Sequence, residues 1–238
     1  DGVVGNADGT VTEDVTLVGA GLTTVVVNAT GTASDIESLI VAGATDVTIN
    51  AAVAFSAANT TDGVATTGTS GTLTVTGAGA VDLGALDVGF TTVNAGANSG
   101  GFTAAIGTND DTVLTGSSGN DTITASATDA LATADKLAVN AGEGTDTLVI
   151  LATLDVNTAA DSARYTGFEN LELVDSTNLA NFADIQTISF TGDAKTLSGL
   201  NATQAAAITV NADVGTSFQA SLSSAGGSAD VLTLNLTS

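Results

Sequence analysis

Residues 116–124 read GSSGNDTIT and residues 142–148 read GEGTDTL. Each stretch sets glycines ahead of an aspartate, Asp121 or Asp146, and follows it with a threonine and an aliphatic residue, Ile123 or Leu148. Glycine takes the backbone conformations of tight turns at low steric cost, and the aspartate leaving the turn stands at the start of a short strand. Asp121 and Asp146 are 25 residues apart. If that separation is one coil of a repeating chain path, the two turns lie on top of one another.

A second repeat gives nearly the same period. A hydrophobic-Asn-Ala unit recurs with its asparagine at positions 28, 50, 94, 140 and 211, and the separations of 22, 44, 46 and 71 residues lie close to multiples of 22 to 24. Looser units recur as well: DIESLIV (35–41), GFENLELV (167–174) and DIQTISF (184–190), and ADKLAV (134–139) with ADVLTL (229–234). Apolar residues alternate with Thr or Asn over four to six positions between Gly- or Asp-bearing turns, which is a strand pattern. Strands are expected at 15–18, 22–27, 36–41, 46–50, 72–76, 91–94, 112–114, 122–124, 137–140, 147–151, 170–174, 185–190, 207–211 and 231–236. Only ATDALATADK (127–136) has a helix-forming composition, and it suits an inserted loop equally well.

Short strands at close spacing suit either a sandwich of antiparallel sheets or a solenoid of stacked coils. The repeats favour the solenoid, so the expected fold is an all-β parallel β-solenoid, with Asn and Thr side chains forming ladders at equivalent positions. The chain divides by pattern into a β-rich segment 1–105, Gly-Asp coils over 106–150 and a continuing solenoid over 151–238. A break is expected near 90–105, where NAGANSGG interrupts the strand pattern. Both ends look uncapped, as in a fragment of a longer chain.

Composition narrows the function. Three basic residues, Lys136, Arg164 and Lys195, stand against 26 acidic ones in 238 residues, a formal charge of -23. Such a surface repels phosphate backbones and anionic headgroups, so neither nucleic acid nor direct membrane insertion is expected, and it attracts hard cations. With 43% apolar residues the chain is too hydrophobic for the disorder that such acidity often brings. It has no His or Cys, the usual zinc ligands and the common general base and thiol nucleophile, and no Trp to stack on sugars. Paired carboxylates could still hydrolyse a glycoside, but only Tyr165 and seven Phe residues are available as platforms. No enzyme is expected.

The acidic turns carry the remaining chemistry. A tight turn offers backbone carbonyls and its aspartate a carboxylate, which together supply half of an oxygen shell for a hard cation. Stacking GSSGND on GEGTD brings the halves together. Asp111, in IGTNDDTVL (106–114), lies ten residues before Asp121 and hence on the opposite edge of the coil, where Gly107 and Asn109 accompany it. Asp8 in GNADGT lacks a full ligand series, and Asp46 and Asp230 precede strands without paired glycines, so these three read as structural turns. VNAGANSGG (93–101) begins like VNAGEGTD but has no aspartate, a coil that keeps the fold without the site.

GSSGNDTIT closely resembles the calcium-binding nonapeptide of RTX proteins, and NAGEGTDTLVI and IGTNDDTVL look like more divergent copies. With TGFENLELV (166–174), the chain resembles part of a calcium-dependent surface-layer protein of Gram-negative bacteria. The resemblance implies β-roll or β-helix coils, type I secretion and a two-dimensional lattice on the extracellular face of the cell envelope, anchored to cell-surface polysaccharide through another region. It places Ca2+ at Gly116, Gly119, Asn120 and Asp121, with Gly142, Gly144 and Asp146 as the second cluster and Gly107, Asn109 and Asp111 as a weaker one. The aspartates act as direct ligands, and Asn120 offers only its backbone carbonyl. The alternative is an adhesive or ligand-binding segment of a large RTX surface protein.

Overall fold

A computed structural model describes residues 14–19, 21–58, 63–68, 70–106, 110–125, 135–151, 156, 158–174, 176–182, 184–190, 196–210, 219–223 and 231–236. The chain is a parallel β-solenoid. Its longest sheet has ten strands, one from each successive coil: β3 (Ser34–Ile36), β6 (Phe55–Ala57), β9 (Val81–Ala85), β11 (Phe102–Ala105), β13 (Thr122–Thr124), β15 (Thr147–Ile150), β17 (Asn170–Leu173), β19 (Thr187–Phe190), β21 (Ile208–Val210) and β23 (Leu234–Leu236). A seven-stranded sheet faces it, made of β2 (Thr24–Ala29), β5 (Asp46–Ala51), β8 (Gly71–Gly77), β10 (Phe90–Asn98), β12 (Val113–Thr115), β14 (Ala138–Asn140) and β16 (Tyr165–Thr166). Two three-stranded sheets lie toward either end of the chain, β1 (Asp14–Val18), β4 (Ser38–Ala42) and β7 (Val64–Thr66), then β18 (Thr177–Asn178), β20 (Thr196–Leu200) and β22 (Gln219–Leu222). All described strand pairs are parallel.

Alternation along each short strand sends one residue inward and the next outward. Val47, Ile49, Leu73, Val75, Val93, Leu114 and Val139 from the seven-stranded sheet meet Ile123, Leu148, Leu171, Ile188 and Ile208 from the ten-stranded one, and all are buried. Each such aliphatic side chain contributes roughly 1.5–3 kcal/mol of transfer free energy, and only the neighbouring coils make the burial complete. The six described Phe residues and Tyr165 are buried as well.

The asparagine repeat has two physical roles. Thr76 Oγ1 donates to Asn50 Oδ1 at 2.7 Å, and Asn50 Nδ2 donates to Asn28 Oδ1 at 2.8 Å, a ladder across three coils. Asn94 and Asn140 instead accept from the backbone N–H groups of Gly96 and Gly142, at 3.0 and 3.1 Å. The alanine after each of these four asparagines, Ala29, Ala51, Ala95 or Ala141, is buried. Asn211 lies outside the described residues.

The expected interruption near 90–105 is a shift of register within β10, between Asn94 and Ala97 against β8, and both long sheets run through it. Each of the fourteen expected strands has a counterpart, but the expected strand 36–41 is divided by a bend at Glu37 between β3 and β4, which belong to different sheets. The strands missed by pattern, among them β6, β7, β9 and β11, each begin with Val or Phe but are short and carry Ala, so stacking on neighbouring coils completes what the local pattern leaves weak. Short helical turns among the described residues were also not expected. Ala159–Ser162 (α1) is capped by Thr158, and Ala202–Ala205 (α2) by Asn201 in a capping box with Gln204. Asn201 and Gln204 three positions on are a readable helix-start signal. Residues 126–134, most of the expected helix-forming segment, lie outside the described residues.

Candidate metal centre

The turns GSSGND and GEGTD stack. β12 and β14 pair Thr115 with Asn140, and β13 and β15 pair Thr122 with Thr147, so the six residues 116–121 lie against the six residues 141–146. The 25-residue separation is therefore one coil. Glu143 N donates to Ser117 O at 3.2 Å, and Thr145 N donates to the side-chain oxygen of Asn120 at 3.0 Å. Asn120 thus joins the coils through its amide, beyond any carbonyl it offers.

The glycines do not all share a rung. Gly119 aligns with Gly144, but Gly116 faces Ala141 and Gly142 faces Ser117, because the glycine spacing differs by one between the turns. Close approach explains each of them. A Cβ on Gly142 would sit 2.1 Å from Ser117 O, and one on Gly144 2.4 Å from Gly119 O, with φ of +107° and +138° respectively. A Cβ on Gly116 would sit 1.9 Å from Ala141 O and 2.4 Å from Asp121 Oδ2, so oxygens of adjacent coils converge on that space.

The two aspartates are buried at equivalent positions. Asp121 is 1% exposed and Asp146 0%. Asp121 Oδ1 accepts from Phe102 N at 2.8 Å and Ser117 Oγ at 2.5 Å, and its Oδ2 accepts from Ser117 N at 2.5 Å. Asp146 Oδ1 accepts from Asp121 N at 2.8 Å, and Glu169 Oε2 accepts from Asp146 N at 2.9 Å. The result is a column in which each carboxylate takes the backbone N–H of the preceding coil. Asp146 Oδ2 is buried with no hydrogen-bond partner. Burial pushes both carboxyls up from 3.8, Asp146 to about 6, against the lowering effect of the donors; the neighbouring charges of Asp121 and Glu169 push Asp146 in the same direction.

The third cluster does not join this column. Asp111 is exposed on the far side of β12, as its ten-residue offset implies, and its Oδ1 accepts from Lys136 N of the next coil at 3.2 Å. Gly107 and Asn109 lie outside the described residues, as do Asp8 and Asp230. Asp46 is exposed at the start of β5 and accepts from Thr45 Oγ1 at 3.1 Å. Glu169 was missed by motif reading because no paired glycines precede it, although it lies in a segment, GFENLELV, whose recurrence is visible.

Among the described residues, no three acidic side chains form a ready metal-binding group. What the turns do offer is chemically suited to a hard cation: carboxylates, carbonyls directed between coils, and one buried oxygen lacking any donor. No family model, curated protein or solved structure matches the chain. Its parallel β-solenoid is consistent with β-helix and RTX-type proteins in general and compatible with a scaffolding role. No described helix is long and apolar enough to cross a membrane.

Proposed function

We propose that the chain is a structural component of a calcium-dependent bacterial surface layer, exported to the extracellular face of the envelope and assembling with copies of itself into a two-dimensional lattice. The observation that carries this reading is the buried, unpartnered Asp146 Oδ2 within the stacked turns. A buried ionised oxygen with no donor destabilises the fold, and a divalent cation beside it reverses that sign and couples binding to folding. Asp146 and the carbonyls of the turns would hold Ca2+, with Asp121 bracing the turn from behind. The cation supplies charge neutralisation and a link between coils. A solenoid with -23 formal charge also needs counter-charge before copies can approach.

Electron microscopy of the purified protein, with calcium and with chelator, tests the proposal. Ordered sheets form with calcium and are lost on chelation. Calcium-linked folding with no lattice under any calcium condition overturns the surface-layer reading. One feature favours the adhesive alternative in that event: a groove of about 350 Å³ across successive coils, lined by Asp35, Ser56, Asp82, Thr103 and Asn120 among others. Persistent monomers that bind a carbohydrate or host surface would establish it.

A further inference from the structure

We propose that Glu169, which lies outside the Gly-Asp turns, is a further calcium ligand, and that the cation sits between Asp146 and Glu169. The inference rests on the calcium reading and specifies its geometry. Three donors already occupy the Asp121 carboxylate, on both of its oxygens. Asp146 uses Oδ1 for Asp121 N and leaves Oδ2 open, and the nearest acidic neighbour on its other side is Glu169. Glu169 Oε2 is bound to Asp146 N, which fixes this carboxylate beside Asp146. The open oxygen and the third carboxylate therefore belong to the same pair of coils.

Turn length explains why this position carries glutamate. β14 and β16 pair Asn140 with Thr166, and β15 and β17 pair Thr147 with Asn170, so the six residues 141–146 are followed in the next coil by only three, 167–169. A turn three residues shorter sits further back, and a side chain one methylene longer than aspartate reaches Asp146 N from there. The outer part of the longer turn has no counterpart above it, and Gly142, Glu143, Gly144 and Thr145 are all exposed. The earlier turn is covered at its start, with Gly116 and Ser117 buried, although Ser118 and Asn120 are exposed. The column is therefore least covered on the Glu169 side, where Glu169 itself is half-buried.

The described arginine does not serve as the counter-charge, because Arg164 Nη1 donates to Asp135 O at 2.7 Å and Leu137 O at 3.4 Å. A cation between coils satisfies the open oxygens of both carboxylates, and waters and turn carbonyls complete the six to eight oxygens that calcium takes.

Calcium titration of the full chain by calorimetry, paired with thermal unfolding with and without calcium, tests the assignment. Glu169→Gln keeps an oxygen for Asp146 N and removes the charge, so it is expected to fold and to bind calcium at least tenfold more weakly, with most of the calcium-dependent rise in Tm lost. Asp146→Asn is expected to show the same loss. Glu169→Asp retains the charge but not the reach; it is expected to bind as weakly, and it serves as the readout if Glu169→Gln does not fold. Unchanged affinity in the folded Glu169 variant, beside weakened binding in Asp146→Asn, overturns this inference and leaves the calcium reading standing. A wild-type chain that binds no calcium overturns both.

Discussion

The tetrapeptide VNAG occurs at 93–96 and again at 139–142, two coils apart in the same sheet, and leads to opposite chemistry. Both copies bury the valine and alanine, and both asparagines accept from the glycine two residues on. After 93–96, five residues run to Phe102, which is fully buried and starts β11. After 139–142, the chain reaches Asp146 at the corresponding position of its own coil. Down the column, Phe102, Asp121, Asp146 and Glu169 are successive occupants of equivalent or near-equivalent places. A solenoid can therefore exchange an aromatic side chain for a carboxylate at one rung, provided the carboxylate finds the backbone N–H below it.

The largest expected effect comes from removing the apolar end of this column. Phe102→Ala empties a fully buried site and is expected to lower stability by about 3–5 kcal/mol, measured by urea unfolding. Calcium should not restore the loss, because no carboxylate is involved. Recovery of the wild-type midpoint with calcium would show that Phe102 belongs to the cation site, and the comparison would fail.

The two VNAG glycines give a sharper contrast. Gly142 has φ +107° and leaves no room beside Ser117 O, whereas Gly96 has an ordinary φ, and its nearest neighbour to a new Cβ is the Asn94 side chain at 3.2 Å. Gly142→Ala is expected to cost roughly 2–4 kcal/mol, and Gly96→Ala less than about 1 kcal/mol. Equal costs in the same unfolding measurement would mean that stacking does not dictate the glycine.

These residues also show what the sequence makes legible. The 25-residue spacing of Asp121 and Asp146 survives as one coil because the two stacked turns that end on them are both six residues long, and the fold class follows from that spacing with the asparagine repeat. Rung-by-rung alignment was not legible. Gly116 and Gly142 look equivalent in a motif, yet Gly116 faces Ala141, because which glycine is needed depends on the backbone of the neighbouring coil. Strands such as Phe102–Ala105 were hidden for a related reason: FTAA sets two strand formers beside two alanines in a run too short to show a pattern, and it is paired by the coils on either side. Glu169 escaped because its turn is three residues shorter, so the usual spacing between glycines and acid is absent while the carboxylate still reaches the column.

The smallest effect concerns the sign of a charge. In calcium-free protein, burial holds the Asp146 carboxyl up at about 6, from 3.8. The folded state then binds a proton more tightly than the unfolded state does, so the stabilisation from protonation is complete below 3.8 and is lost as pH rises through about 6. Asp146→Asn keeps an acceptor for Asp121 N and has no charge to desolvate. In chelator at pH 7.5 it is expected to be more stable than wild type by roughly 1–2 kcal/mol, and the advantage should shrink toward zero at pH 4. The difference between the two proteins is the readout, because protonation of the many other carboxylates is common to both and cancels. With calcium at pH 7.5 the order should invert, since the wild type gains the cation and the variant does not. An asparagine variant that is less stable than wild type in chelator at every pH would show that the carboxylate supports the fold by itself, leaving Asp146 Oδ2 without the penalty that makes a cation necessary.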